Sequence, residues 1–358
     1  MRIMFVTPSM NYGGAERVIS ILCNEWEKQK HSICLVITGE NSKCVYPLAK
    51  GIKIVCLGGI DAANKFTHLK LIKKIRRIIR IEAPDVVITF INDICAYTAI
   101  SMIGFKIPLI YSERNDPNKV NQRKKDKIFR KIAEYFSKGI VFQTRGAQLC
   151  YSKNVQKKST IILNPMNIVD LPKCDYENIR QEIVAVGRLE PQKNHKLLIE
   201  AFSKITDKYP EYILKIYGTG SLEQKLKEQI KNLSLEAKVF LMGNSNHILD
   251  DIKKASLFVL SSDFEGLPNS LIEAMALGLP CLSTDCSPGG AREVIKNGEN
   301  GLLTKCGDAN QLAEAMKFLL EKRCRSIEFG KKAMHIREKV ESSHIADCWL
   351  AFIKDHAK

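Results

Sequence analysis

A chain of 358 residues, 45% of them hydrophobic, is long enough for two domains that each bury a core. No run approaches the ~18–20 uninterrupted apolar residues of a membrane span. The short apolar start Met1-Arg-Ile-Met-Phe-Val-Thr reads as a buried strand rather than a signal peptide. The twelve cysteines are scattered with no C-x-x-C pair, which speaks against a zinc site or disulfide framework and for a reducing compartment.

The net charge of +16 is unevenly placed. Residues 1–170 hold 28 Lys and Arg against 13 Asp and Glu, whereas residues 171–358 hold 27 against 26. An excess confined to one half points to an anionic partner for that half: membrane phospholipid, a lipid phosphate or nucleic acid.

Short apolar, β-branched runs at 3–7, 32–38, 52–57, 86–90, 109–112, 139–143 and 160–163 read as strands. So do 183–187, 212–217, 239–242, 257–261, 280–283 and 301–304. Amphipathic stretches such as 15–30, 193–208, 222–233, 269–277 and 310–322 read as helices. The alternation implies parallel sheets with right-handed crossovers and helices on both faces. There are too many strands for one ordinary open sheet, so two doubly wound, Rossmann-like domains are expected. Composition suggests a first domain over 1–165, a linker over 166–179 and a second domain over 180–340. A last helix, 341–358, carries Trp349 and Phe352 on its apolar side and could pack back on the first domain.

Asn11-Tyr-Gly-Gly-Ala-Glu-Arg17 follows the first strand and opens the first helix. Gly13 and Gly14 would let a ligand approach the backbone, or would simply serve a strand–helix turn. The pattern is not G-x-G-x-x-G, so a nicotinamide or flavin cofactor is unsupported. Two basic stretches follow, at 65–80 and 118–138. Both alternate cations with Ile, Leu and Phe and read as amphipathic helices with a cationic face. One such helix is most simply a solvated outer face, but two in the charged half favour membrane or lipid-diphosphate contact. Neither interleaves stacking aromatics as a groove for single-stranded nucleic acid would.

Gly187-Arg-Leu-Glu-Pro-Gln-Lys-Asn194 also follows a strand and precedes a helix. Arg188 and Lys193 could close on one diphosphate, Arg as a planar fork and Lys as a point charge. The alternative is two solvated cations, but their place at a sheet's carboxyl edge favours the ligand. In Ser261-Ser-Asp-Phe-Glu-Gly-Leu-Pro-Asn269 a strand gives way to a loop and then a helix. The first N–H groups of that helix are unpartnered and suit an anion such as a nucleotide diphosphate. Glu265 would stand at the mouth of the turn and Glu273 about two turns into the helix, unless both merely complement helix dipoles.

In combination, Phe264-Glu-Gly-Leu-Pro268, the E-x7-E spacing, Gly187-Arg-Leu189 with Lys193-Asn194, and Gly13-Gly14 resemble the GT-B glycosyltransferases of family 4. The resemblance covers almost the whole chain. It implies two domains facing across a cleft and a retaining transfer from a nucleotide sugar. It also implies that Arg188 and Lys193 grip the donor diphosphate, that Glu265 contacts the transferred sugar and that Glu273 contacts the ribose. Backbone amides of Gly266, Leu267, Pro268 and Asn269 help hold sugar and phosphate, and Gly243 and Asn244 lie near the base. Ser287-Pro-Gly-Gly-Ala-Arg-Glu293 resembles a later glycine turn of the family. Many members carry a His after the fifth strand, where this chain has Ser112-Glu-Arg-Asn-Asp116. Arg114 aligns there, either as a phosphate or acceptor contact or as a salt-bridged loop residue, with Glu113 as a local carboxylate.

The expected enzyme is a hexosyl or N-acetylhexosaminyl transferase, similar to those adding N-acetylgalactosamine to polyprenyl-diphosphate saccharides. Its co-substrate is a nucleotide sugar, UDP-linked by analogy, with no cofactor and no metal. Its acceptor is a lipid-diphosphate-linked saccharide, reached from the cytoplasm on an anionic membrane surface through Lys65–Arg80 and Lys119–Lys138; no nucleic acid is expected. The rivals are a sugar-nucleotide epimerase on the same fold and a basic nucleic-acid-binding protein with a nucleotide pocket.

Overall fold

A computed structural model describes residues 1–11, 13–39, 44–59, 65–119, 123–169 and 171–356. They form two units, 1–167 with 340–358, and 168–339.

The first unit holds β1 (Arg2–Thr7), β2 (Ser32–Ile37), β3 (Lys53–Cys56), β4 (Val86–Thr89), β5 (Leu109–Ser112), β6 (Gly139–Phe142) and β7 (Ser159–Ile161). All pair in parallel, in the order β3-β2-β1-β4-β5-β6-β7. Its helices are α1 (Gly14–Lys28), α2 (Lys65–Glu82), α3 (Asn92–Ser101), α4 (Lys124–Phe136), α5 (Arg145–Leu149) and α6 (Lys153–Lys157). Successive strand side chains point to opposite faces, so one strand feeds two cores. Ile3 and Phe5 pack with Trp26 of α1 on one face. Met4 and Val6 pack with Leu71, Ile75 and Ile79 of α2 on the other.

The second unit holds β8 (Arg180–Val186), β9 (Ile213–Tyr217), β10 (Val239–Gly243), β11 (Ala255–Leu260), β12 (Cys281–Thr284) and β13 (Leu302–Thr304). They too are parallel, in the order β10-β9-β8-β11-β12-β13. Its helices are α7 (His195–Ser203), α8 (Glu223–Asn232), α9 (Ile248–Ile252), α10 (Asn269–Leu277), α11 (Gly290–Val294), α12 (Ala309–Glu321), α13 (Arg323–Ala333) and α14 (Ile336–Val340). Ile183, Leu214, Ile216 and Val259 meet Leu198 and Phe202 of α7 and Met316 of α12 in the core. The doubly wound sheets expected from the alternating pattern are present. The stretch 171–179 packs on this unit: Cys174 N donates to the Leu277 carbonyl at 2.7 Å, and Tyr176 Oη to that of Gly278 at 2.7 Å.

Two basic or helical stretches come out shorter than periodicity suggested. Within 118–138 the helix runs from Lys124 to Phe136; Asn118 and Lys119 form a turn held by Asp116, and 120–122 lie outside the described residues. Within 193–208 it runs from His195 to Ser203.

The last helix, α15 (Ser342–His356), lies in the first unit. Trp26 Nε1 donates to the Ala346 carbonyl at 3.1 Å, and Trp349, wholly buried, lies 5.7 Å from Phe90 ring to ring. Trp349→Ala should destabilise the first unit by about 3–5 kcal/mol. Denaturant titration read by exchange protection of each unit checks this; an unchanged first-unit midpoint contradicts it.

Candidate active site

Three strands of the second unit, β8, β11 and β12, release loops at one sheet edge. After β8, Pro191 opens a short 3-10 turn, Pro191–Lys193. Asn194 then takes a left-handed conformation (φ 43) and its side-chain oxygen accepts from Leu197 N at 3.1 Å, capping α7. That cap is why the helix begins at His195. It leaves Lys193 in the turn, where its stem crosses Gly187: a Cβ there would stand 3.1 Å from Lys193 Cδ and Cε.

Lys193 Nζ reaches Glu265 Oε1 at 2.5 Å, with side chains only 13% and 8% exposed. Ser262 Oγ donates to the same carboxylate oxygen at 2.8 Å. Gln192 Nε2 donates to Glu265 Oε2 at 3.3 Å and to the Phe264 carbonyl at 3.0 Å. Asn194 Nδ2 donates to Asp263 Oδ1 at 2.8 Å, and Asp263 N to the Gln192 carbonyl at 2.9 Å. The loops after β8 and β11 are thus tied side chain to backbone in both directions. Arg188 differs from Lys193: it is exposed, and its guanidinium makes no hydrogen bond or ion pair among the described residues, although its charge helps to lower Glu190.

The loop after β11 enters α10 at Asn269, behind Pro268, with no side-chain cap. Gly266, Leu267, Pro268 and Glu273 are buried. Glu273 stands one turn past Asn269 rather than two, because the loop runs on to Pro268 before the helix starts. The loop after β12 supports this segment from beside it. Glu265 N donates to the Ser287 carbonyl at 3.0 Å. Gly290 sits so close to Gly266 that a Cβ would lie 1.9 Å from the Gly266 carbonyl oxygen. Burial, with the Glu265 charge adding, pushes the Cys286 thiol up to about 12.

Gly243, φ 68, ends β10 and its carbonyl accepts from Gly218 N at 2.7 Å. Asn244 is exposed and its Nδ2 donates to Thr219 Oγ1 at 3.3 Å. Gly218 in turn touches Gly187, where a Cβ would stand 2.0 Å from the carbonyl oxygen. So Gly243 and Asn244 join the Arg188 turn through the loop after β9. Sequence reasoning passed over Gln192, Ser262 and Asp263 as agents. They lay inside the quoted motifs, but nothing in their spacing says that they orient Glu265.

The other four candidates lie in the first unit. Gly13 precedes α1, and the Glu16 carboxylate occupies the space a Cβ would need, 2.1 Å away; Gly14 is the exposed first residue of α1. Glu113 is buried and accepts from Tyr111 Oη (2.9 Å), Tyr151 Oη (2.7 Å), Arg114 N (3.0 Å) and Asn115 N (3.1 Å). Burial, with the Glu113 charge adding, holds both phenols well above their ordinary value. Arg114 is buried rather than salt-bridged on a loop. Its guanidinium lies 3.9 Å over the Phe90 ring, and Nη1 donates to Asn164 Oδ1 at 2.7 Å. Burial lowers it to about 9. Among the described residues no group of three or more His, Cys, Asp or Glu could hold a metal ion.

Residues 177–340 match the family of glycosyl transferases group 1. Over 361 aligned residues, 99% of each chain, the protein is 27% identical to a Campylobacter jejuni enzyme. That enzyme is GalNAc-alpha-(1->4)-GalNAc-alpha-(1->3)-diNAcBac-PP-undecaprenol alpha-1,4-N-acetyl-D-galactosaminyltransferase. The present chain is also 28% identical, over 87% of its length and 88% of the relative, to a second protein of that organism, N-acetylgalactosamine-N,N'-diacetylbacillosaminyl-diphospho-undecaprenol 4-alpha-N-acetylgalactosaminyltransferase. Among solved structures, Anabaena HepE in complex with UDP-glucose is similar at a TM-score of 0.81 and 19% identity, over 99% of this chain and 100% of that one. The chain carries a group 1 glycosyltransferase domain and is a glycosyltransferase of the GT-B fold.

His195, first residue of α7, is 4% exposed, its ring set beside the backbone of Gly187 and Arg188. Burial, with the Lys193 ammonium adding, lowers its imidazole from 6.5 to about 4. Above ~6.5 the ring is neutral folded and unfolded; between there and about 4 only the unfolded chain takes the proton. The stability contributed by the neutral ring is therefore full above ~6.5 and lost as pH falls toward 4. His195→Gln should flatten this part of the stability–pH curve, measured by urea denaturation across that window. An unchanged slope contradicts the assignment.

Proposed function

We propose that the enzyme moves a hexosyl or N-acetylhexosaminyl group from a uridine-diphosphate sugar to a lipid-diphosphate-linked saccharide, with retention at the anomeric carbon, in the assembly of a surface glycan. The observation that carries this reading is the grouping of Arg188, Lys193 and Glu265 on loops at the carboxyl ends of β8 and β11. Open α/β sheets bind ligands at that edge. Two relatives that are N-acetylgalactosaminyltransferases named for undecaprenol-linked substrates support the acceptor class.

On this reading Arg188 takes the donor diphosphate as a two-pronged fork and Lys193 as a point charge. Glu265 accepts a hydroxyl of the transferred sugar and Glu273 one of the ribose. Gly266 to Asn269 offer backbone N–H groups at the start of α10, Pro268 excepted, where the helix dipole adds positive potential. Gly243 and Asn244 stand by the base. Glu113 and Arg114 serve the acceptor side through the local fold rather than as surface charges. The anomeric C–O bond to the diphosphate breaks as the acceptor oxygen bonds to the same face. The acceptor proton passes to a leaving phosphate oxygen. Charge growing on that leaving group is what fixed cations stabilise most. No metal takes part. A lipid-borne acceptor makes the enzyme a peripheral protein on the inner face of a cell membrane.

Glu265→Gln keeps a hydrogen-bonding group for Ser262 and Gln192 but removes the charge. It and Lys193→Ala should each lower transfer by about 100-fold or more while the protein still melts cooperatively. Normal turnover by either variant overturns the site. UDP should raise the melting temperature more than other nucleoside diphosphates, and Arg188→Ala should shrink that shift. Transfer should continue in EDTA; a loss that magnesium restores would remove the metal-free mechanism. Release of free epimer without acceptor would favour the epimerase instead.

A further inference from the structure

We propose that α4 is the element that seats this protein on an anionic lipid surface, with Ile128 and Tyr135 entering the apolar boundary and Lys124, Lys127 and Lys131 meeting the head groups. Ile128 is 57% exposed and Tyr135 81%. Seven positions apart, they lie within ~20° of one another around the helix. Lys124 and Lys131 flank them on the same side at helical spacing, and Lys127 stands one residue before Ile128. All three lysines are exposed, and their ammonium groups make no hydrogen bond or ion pair among the described residues. The opposite side of α4 is the one that packs: Ala133 is buried and Phe129 lies against the core.

Arg130 shows what a structural cation looks like on the same helix. It pairs with Glu134, donates to the Pro117 and Cys150 carbonyls and covers the Tyr151 ring. The α2 helix is different again. Its exposed Leu69 and Ile81 are twelve positions apart, ~120° around the helix, and form no single stripe. Lys74 donates to the Leu57 carbonyl, and Arg76 to those of Ser101 and Ile103. Lys70, Lys73, Arg77 and Arg80 of α2 are as exposed as the lysines of α4, so what sets α4 apart is that its cations stand beside an exposed apolar stripe. An exposed aliphatic and an aromatic side chain bordered along one side by exposed lysines is the pattern of a helix lying in an anionic membrane interface. A second copy of this chain fits poorly, since a two-fold contact would set the same lysines against each other.

The test is flotation of the full chain with phosphatidylcholine vesicles, with and without an equal share of phosphatidylglycerol, at low and high salt. The protein should float with the anionic vesicles only. Lys124→Glu with Lys127→Glu and Lys131→Glu should weaken binding more than about tenfold. Ile128→Ser with Tyr135→Ser should leave weaker binding that high salt abolishes, because head-group attraction alone is screened. All five positions are exposed, and a thermal melt of each variant checks its folding. The proposal fails if the Ile128/Tyr135 variant floats as the parent does. It also fails if Lys73→Glu with Arg77→Glu in α2 weakens binding as much as the α4 changes. Preferential binding of duplex nucleic acid, or self-association that protects this face, would equally overturn it. No substrate is present in this measurement, so its failure leaves the transferase reading standing.

Discussion

Parallel strands release their loops at one edge, and those loops can meet only where no side chain keeps their backbones apart. In the second unit that obstacle is removed three times. Gly290 lies against the Gly266 carbonyl, Gly218 against that of Gly187, and Gly220 against the backbone of Leu189, with a Cβ falling 1.9, 2.0 and 2.5 Å from the nearest oxygen. The loops after β8, β9, β11 and β12 then form one surface. Lys193, Glu265, Gln192 and Ser262 stand on it because their backbones are already in register. The site's geometry therefore belongs to contacts between loops, and an alanine at any of these glycines would move charged groups it never touches.

Within that surface the Lys193–Glu265 pair is the most constrained element. Two charges withdrawn from water must compensate each other and fill their remaining hydrogen-bonding capacity. Ser262 and Gln192 do this for the carboxylate. A diphosphate arriving on the proposed reading would find the two cations in different states. Arg188 makes no hydrogen bond or ion pair among the described residues and gains one outright, whereas Lys193 must share itself between a phosphate and Glu265. A carboxylate released from its lysine gains capacity for a sugar hydroxyl. Donor binding is thus an addition at one cation and an exchange at the other. The uneven exposure of the two side chains already carries that asymmetry.

The thirteen strands were legible because central parallel strands are covered on both faces and read as unbroken apolar runs. What was not legible falls into two kinds. The first is backbone conformation at single residues. Periodicity ran through Asn194 although its left-handed turn separates Lys193 from the helix, and the basic stretch was read as helix from Asn118 although Asn118 and Lys119 form a turn. The second is long-range pairing. The chemistry-bearing residues stood in their motifs, but Lys193 and Glu265 are 72 positions apart, and nothing local shows that they touch. Glu113 and Arg114 read as a charged loop because their partners Tyr151 and Asn164 lie 38 and 50 positions further on.

Charge was the other property that sequence reported only in bulk. The first half's excess counts every cation alike, yet several of them are interior fittings. Lys158 donates to the Glu134 and Ser137 carbonyls at the end of α4, and burial lowers its ammonium. Arg76 does the same for the end of α3, Lys74 serves Leu57, and Arg114 is buried over Phe90. Cations at helix ends satisfy carbonyls the helix leaves open and complement its dipole. Such groups add to the formal charge but little to the field a partner meets, because their donors are already engaged at short range. Lys124, Lys127 and Lys131 of α4 have no such employment among the described residues. A net charge of +16 is therefore two populations, and only the one with unengaged donors can act on a surface outside the protein.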